Sequence, residues 1–267
     1  MTATIRMPAV AGMFYPGSAR ELDTDVRAML AERPCASAAP KAIIAPHAGY
    51  MYSGPIAASV YALLAPAAGT IRRVVLLGPT HRIGVRGLAI PSVEAFATPL
   101  GAVPLDTGAM AEIASLPQVV TADAPHAQEH SLEVHLPFLQ SVLRDFRLVP
   151  LAVGQARPEE VAEVLERLWG GDETLIVVSS DLSHYLPYAA AREIDTATAA
   201  RIVALDATIA HDEACGATPV NGLLRAARHH RLKAALVDLR NSGDTAGERS
   251  RVVGYGGFAF YSGDDHG

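Results

Sequence analysis

Cysteine is scarce in this 267-residue chain, which has only Cys35 and Cys215 and no C-x-x-C pair. Two isolated thiols build no disulfide framework, so a reducing cytoplasm is the expected location. Aromatic residues make up 6% and charged residues 19%, with a formal net charge of −6. That balance excludes a general nucleic-acid binder, which would carry a basic face. No window approaches the roughly 20 uninterrupted apolar residues that a membrane helix requires, so no membrane partner is expected. The first residues, MTATIRMPAVAGMFYPGS, hold Pro8 and Pro16 and no sustained apolar run, unlike a secretory signal. Also missing are the G-x-S-x-G nucleophile elbow, the H-E-x-x-H zinc-protease helix and a Gly-rich nucleotide loop.

Half of the residues are hydrophobic, mostly aliphatic, which suits helices packed on a buried sheet. KAIIAPH, RRVVLLGPTH, GLAIPS, RLVPLAVG, TLIVVSSDLSH, AALVDLR and VVGYGGFAFY read as strands. Between them, helices are expected at 19–32, 53–65, 107–114, 131–145, 158–169, 189–205 and 219–230. Strands alternating with helices predict a three-layer α/β/α sandwich around a largely parallel or mixed sheet. No repeat or charge-block linker interrupts it, so residues 1–267 are expected to form one domain.

Three of these strands deliver polar side chains just past an apolar run, at His47, at His81 and at Asp181 with His184. Ligands of open α/β sheets bind where such strand ends converge. Pro46 and Gly49 shape the turn around His47, Tyr50 and Tyr52 are candidate pocket residues, and Thr80 is a candidate to hold His81 in one tautomer. Asp181 and His184, three apart, would share a face if they lay on a helical turn. A third metal ligand is expected from the turn RNSGDTAGE, with Asp244 first and Glu248 in reserve. Two histidines and one carboxylate form the facial set of non-haem Fe(II) oxygenases. The segment QEHSLEVHLPF is ambiguous: His130 and His135 fall on different helix faces, and Glu129 and Glu133 equally suit the positive end of a helix dipole. His126, His211, His229, His230 and His266 lack strand-end context, and the His229–His230 pair reads as a surface complement to a helix C-terminus.

Taken together, Arg6–Pro16, APHAGYMYSG, LLGPTH, EHSLEVHLPFL, SSDLSHY and VVGYGGFAF resemble the Memo family, whose bacterial and archaeal members are called AmmeMemoRadiSam system protein B. The match runs in order along nearly the whole chain. The resemblance implies a fold similar to class III extradiol ring-cleaving dioxygenases, with Fe(II) the first cofactor to consider and Zn or Cu as alternatives. It places His47 and His81 at the family's metal histidines, with Asp181 and His184 as further pocket residues and His130 as a looser match to an acid/base histidine. The animal relative has a cysteine in the region where this chain has Ser242–Thr245, so Asp244 would bring this chain nearer the oxygenase pattern. An unidentified small-molecule substrate and a pathway link to an AMMECR1-like and a radical-SAM protein are implied. Three functions compete: a dioxygenase-like enzyme using His184 or His130 as proton shuttle, a zinc hydrolase, and a non-catalytic peptide- or metal-binding adaptor. A phosphopeptide reader would want an arginine cluster, and the pocket motifs offer only Arg82.

Overall fold

The computed structural model describes residues 4–32 and 38–263; Cys35 and His266 lie outside the described residues. In chain order the elements are β1 (Ile5–Arg6), α1 (Ala19–Ala31), β2 (Ala42–Ala45), α2 (Tyr50–Tyr61), β3 (Arg73–Pro79), β4 (Leu88–Ile90), β5 (Ala95–Thr98), β6 (Gly101–Pro104), α3 (Thr107–Ile113), β7 (Val119–Thr121) and α4 (Ala124–Ala127). They continue with α5 (Leu136–Val142), β8 (Arg147–Val153), α6 (Pro158–Leu168), β9 (Thr174–Ser179), β10 (His184–Leu186), α7 (Tyr188–Val203), α8 (Ala217–His229), β11 (Lys233–Asn241) and β12 (Val252–Tyr261).

The main sheet runs β10-β12-β2-β9-β3-β8-β4-β7, with β11 on β12. Its centre, β2-β9-β3-β8, is parallel, whereas β12 joins β2 and β4 joins β8 antiparallel. The parallel strands are buried on both faces, which is why AIIA, RVVLLGP, RLVPLAV and TLIVVS read as unbroken apolar runs rather than alternating ones. Helix α2 packs on β11 and β12, and α8 packs on β3 and β9. A Cβ at Gly257 would meet Val60 of α2, while one at Gly254, three residues earlier in β12, would meet Asp195 of α7, so these helices cover opposite faces. The result is the expected α/β/α sandwich. β1, β5 and β6 form a separate three-stranded sheet that the sequence patterning did not show.

Three expectations change. Helix α2 begins at Tyr50, not Ser53, with Gly49 preceding it. The helix expected over 131–145 is a 3-10 turn at Glu133–His135 followed by the short α5, since Pro137 has no N–H to extend the ladder backwards. Asp181 and His184 are not on a helical turn: Asp181 lies in the irregular link after β9, and His184 starts β10. The topology puts the C-terminal ends of β2, β9 and β3 side by side, and the chain past each enters one cleft.

Candidate metal centre

His47, Asp181 and His81 each lie two residues past the end of one of the adjacent strands β2, β9 and β3. A fourth contributor crosses these ends. Segment 129–132 packs against Gly78, where an added Cβ would lie 2.8 Å from Ser131 Oγ and 2.9 Å from Leu132. The missing side chain in GPTH therefore lets the segment sit down on β3. Ser131 Oγ then donates to Pro79 O at 2.7 Å, and Ser179 Oγ donates to Ser131 O at 2.6 Å. This placement brings His130 against the other two histidines. The ring centroids of His47, His81 and His130 are separated by 5.1, 5.5 and 4.6 Å, and one ligand nitrogen from each falls within 4.8 Å of the others.

Hydrogen bonding sets the tautomers. Because the Ser179 hydroxyl gives its proton to Ser131 O, His47 Nδ1–H is the donor in the 2.6 Å contact with Ser179 Oγ, and Nε2 keeps its lone pair. His81 Nδ1 donates to Glu129 Oε1 at 2.8 Å, and His130 Nδ1 lies 3.2 Å from the same oxygen. One buried carboxylate thus orients the His81 ring and faces that of His130, and such a partner fixes metal-binding histidines in other proteins. Glu129 also accepts the backbone N–H groups of His81, His130 and Ser131. Burial alone would raise its pKa, but hydrogen bonds from the His81 ring and backbone outweigh that and hold it at about 2. Burial also lowers His47 well below the usual imidazole value and His130 to about 4, which keeps both neutral and able to ligate.

The histidines line a cleft of about 1030 Å³ with Asp181, His184, Phe14, Tyr52, Tyr185 and Tyr255 on its walls. Asp181 Oδ1 accepts the His47 backbone N–H at 2.8 Å, and Oδ2 stands 4.0 Å from His47 Nε2. Burial pushes its carboxyl up to about 7. His184 Nδ1 donates to Leu182 O at 2.8 Å, leaving Nε2 as an acceptor. Tyr50, in contrast, is buried outside the cleft lining and donates to Val134 O at 2.6 Å.

Asp244 does not join the histidines. It is exposed in a 3-10 turn, where Tyr188 OH donates to its Oδ1 at 2.6 Å and Asn241 N–H to its Oδ2 at 3.1 Å. Local donors hold the carboxylate that a metal would need. The reserve, Glu248, lines the cleft but lies outside the three-histidine group.

Sequence reasoning missed two contributors. Glu129 sits in a segment that is ambiguous in sequence, where a helix-dipole role suits it equally well. Cys215, which carried no motif, places Sγ 3.3 Å from His47 Nε2. Gly216 permits that approach, since a Cβ there would lie 2.6 Å from Ser179 O. Burial pushes the thiol up to about 12, so it is a protonated donor to the imidazole.

The Memo-like protein family model matches residues 6–259. The chain belongs to the Memo family. A MEMO1 family protein of Aquifex aeolicus is 37% identical, covering 96% of this chain and 99% of its own. Those of Archaeoglobus fulgidus and Methanosarcina mazei are both 36% identical, covering 96% and 94% of this chain and 99% and 97% of theirs. Among solved structures, an uncharacterized Escherichia coli K12 protein, JW3007, superposes with a TM-score of 0.50 at 14% identity, covering 80% of this chain and 98% of that one. This last likeness is one of fold alone. Among the described residues, no helix is long and apolar enough to cross a membrane.

Proposed function

We propose that this Memo-family protein is a metal-dependent, dioxygenase-like enzyme that holds Fe(II) at His47, His81 and His130 and acts on a small phenolic or other aromatic substrate. The observation that supports it most is the convergence of three imidazoles, one ligand nitrogen of each within 4.8 Å of the others, with Nδ1 of His47 and of His81 turned to a protein acceptor. Three imidazole nitrogens suit a divalent ion of the iron-to-zinc series. The bound ion would supply Lewis-acid and redox chemistry toward a substrate hydroxyl and O₂.

The chain's own residues do the rest. Phe14, Tyr52, Tyr185 and Tyr255 give the cleft an aromatic wall for a flat substrate. His184, with Nε2 as acceptor, is placed to take a substrate proton. Asp181 contributes the carboxylate that Asp244 does not, 4.0 Å from His47 Nε2. His130, which the sequence offered beside His184 as an alternative proton shuttle, is in this reading the third ligand.

The same three-imidazole set favours a second reading, since catalytic zinc is also held by three histidines that activate water. One experiment separates the two: Fe(II)- and Zn(II)-loaded protein assayed with catechols on an oxygen electrode and with ester and phosphoester substrates under nitrogen. Oxygen uptake by the iron form supports the dioxygenase. Oxygen-independent hydrolysis by the zinc form supports the hydrolase. Turnover in neither form overturns both and returns the pocket to a binding role.

A further inference from the structure

A second cluster of ligating atoms lies away from the cleft, where the C-terminal ends of α6 and α8 meet. His229 and His230 end α8, and Arg231 then takes φ 56°, the left-handed conformation that turns the chain out of the helix. Neighbouring helical side chains normally diverge by about 100° around the axis. At this helix end the two rings instead sit 5.0 Å apart at 85°, and Glu166 of α6 reaches them from across the helix pair. His230 Nε2 and Glu166 Oε2 are 2.8 Å apart, and one ligand atom from each of Glu166, His229 and His230 lies within 4.8 Å of the others.

His230 is not free to swing away. Its ring stacks on Trp169 at 3.8 Å with a 6° interplanar angle, and the Lys41 ammonium stands 5.5 Å from the Trp169 ring centroid. Lys41 is itself anchored on the carbonyls of Trp169, Gly171 and Thr174 at 2.7, 2.6 and 2.8 Å. One imidazole is therefore oriented before any ligand arrives, which lowers the ordering cost of binding. The 2.8 Å separation of nitrogen and carboxylate oxygen is close to the roughly 3.0 Å between adjacent ligands of a square-planar or tetragonal Cu²⁺ or Ni²⁺ ion. A turn of the exposed His229 ring adds a third.

We propose that Glu166, His229 and His230 form a second divalent-cation site, selective for imidazole-preferring ions such as Cu²⁺, Ni²⁺ and Zn²⁺, which staples α6 to α8. Two nitrogens and one oxygen give it the order Cu²⁺ above Ni²⁺, with Mg²⁺ and Ca²⁺ excluded for want of oxygen ligands. The site is independent of the iron reading of the cleft.

The chain supplies its own reporter, because Trp169 is its single tryptophan and stacks on a ligand ring. The full chain is titrated with Ni²⁺ and with Cu²⁺ while tryptophan emission is read, in wild type, His229→Ala, Glu166→Gln and His47→Ala. Saturable quenching is expected in wild type and His47→Ala, complete at one equivalent beyond whatever the cleft histidines take up. In His229→Ala and Glu166→Gln the apparent affinity should fall by at least about tenfold, the scale that loss of even a ligand-orienting contact produces. His229 is exposed, so an unchanged melting curve of the ion-free variant separates ligand loss from misfolding. Quenching that never saturates, that persists equally in His229→Ala, or that disappears in His47→Ala overturns the proposal.

Discussion

Glu129 and Glu133 stand four residues apart in one segment, and both are buried, at 1% and 0% exposure. Their surroundings divide the labour of the molecule. Glu129 faces His81 and His130 and collects three backbone N–H groups of the site. Glu133 faces the N-terminal segment: Arg6 forms an ion pair with it, Tyr15 OH donates at 2.5 Å, and the N–H groups of Ala9 and Val10 donate at 2.7 and 3.0 Å. Arg6 also reaches the carbonyls of His126 and Glu129, so the fold anchor braces the loop that carries the site. Two identical side chains in one stretch thus serve stability and chemistry separately, according to which charge each meets.

Substitutions should separate the two roles. Glu133→Gln leaves Arg6 buried without its counter-charge and should cost about 3–5 kcal/mol, the range for breaking a buried pair. A melting temperature lowered by roughly 10 °C is expected in a scan, with metal affinity little changed in the folded fraction. Glu129→Gln should do the reverse. Metal affinity should fall about 10- to 100-fold in calorimetry, the effect of losing the partner that orients a ligand histidine. If Glu129→Gln costs stability alone, the division between the two residues fails.

On the other side of the site, His47 leans on a neutral hydroxyl instead of a carboxylate. Ser179→Ala orphans one buried N–H and should cost about 1–3 kcal/mol. Its effect on metal affinity should be smaller than that of Glu129→Gln, because no charge is lost.

Acid should unfold the protein through its buried neutral imidazoles. Burial lowers His126 and His130 to about 4 and His135 to about 3, below the unfolded value of about 6.5. Between pH 6.5 and those values the unfolded chain binds more protons than the folded one, so stability falls as pH falls. Asp181, raised to about 7, acts oppositely, losing stability as pH rises from about 4 to 7. Three histidines against one aspartate leave a net loss toward acid. Urea midpoints from pH 7 to 4 should show it, and a flat profile would contradict the neutral-imidazole assignment.

The parts of this arrangement that were legible in the sequence are those that neighbouring residues determine. The strands and the positions of His47 and His81 follow from unbroken apolar runs ending in Pro-His or Gly-Pro-Thr-His. The α/β/α layering follows from the alternation of strands and helices. What stayed hidden depends on distant partners. Glu129 meets His81 across 48 residues, and Cys215 meets His47 across 168. Asp244 looked available only because Tyr188, 56 residues upstream, is invisible to local reading. His229 and His230 looked like a surface pair because Glu166, 64 residues from His230, is on another helix.

The central claim is that His130, not Asp244, completes the metal site. The direct test is iron content of anaerobically purified and Fe(II)-reconstituted wild type, His47→Ala, His81→Ala, His130→Ala and Asp244→Ala, each checked for native melting. Near-stoichiometric iron in wild type and Asp244→Ala, with loss in all three histidine variants, is the expected result. Iron retained in His130→Ala and lost in Asp244→Ala would contradict it and restore the two-histidine, one-carboxylate set.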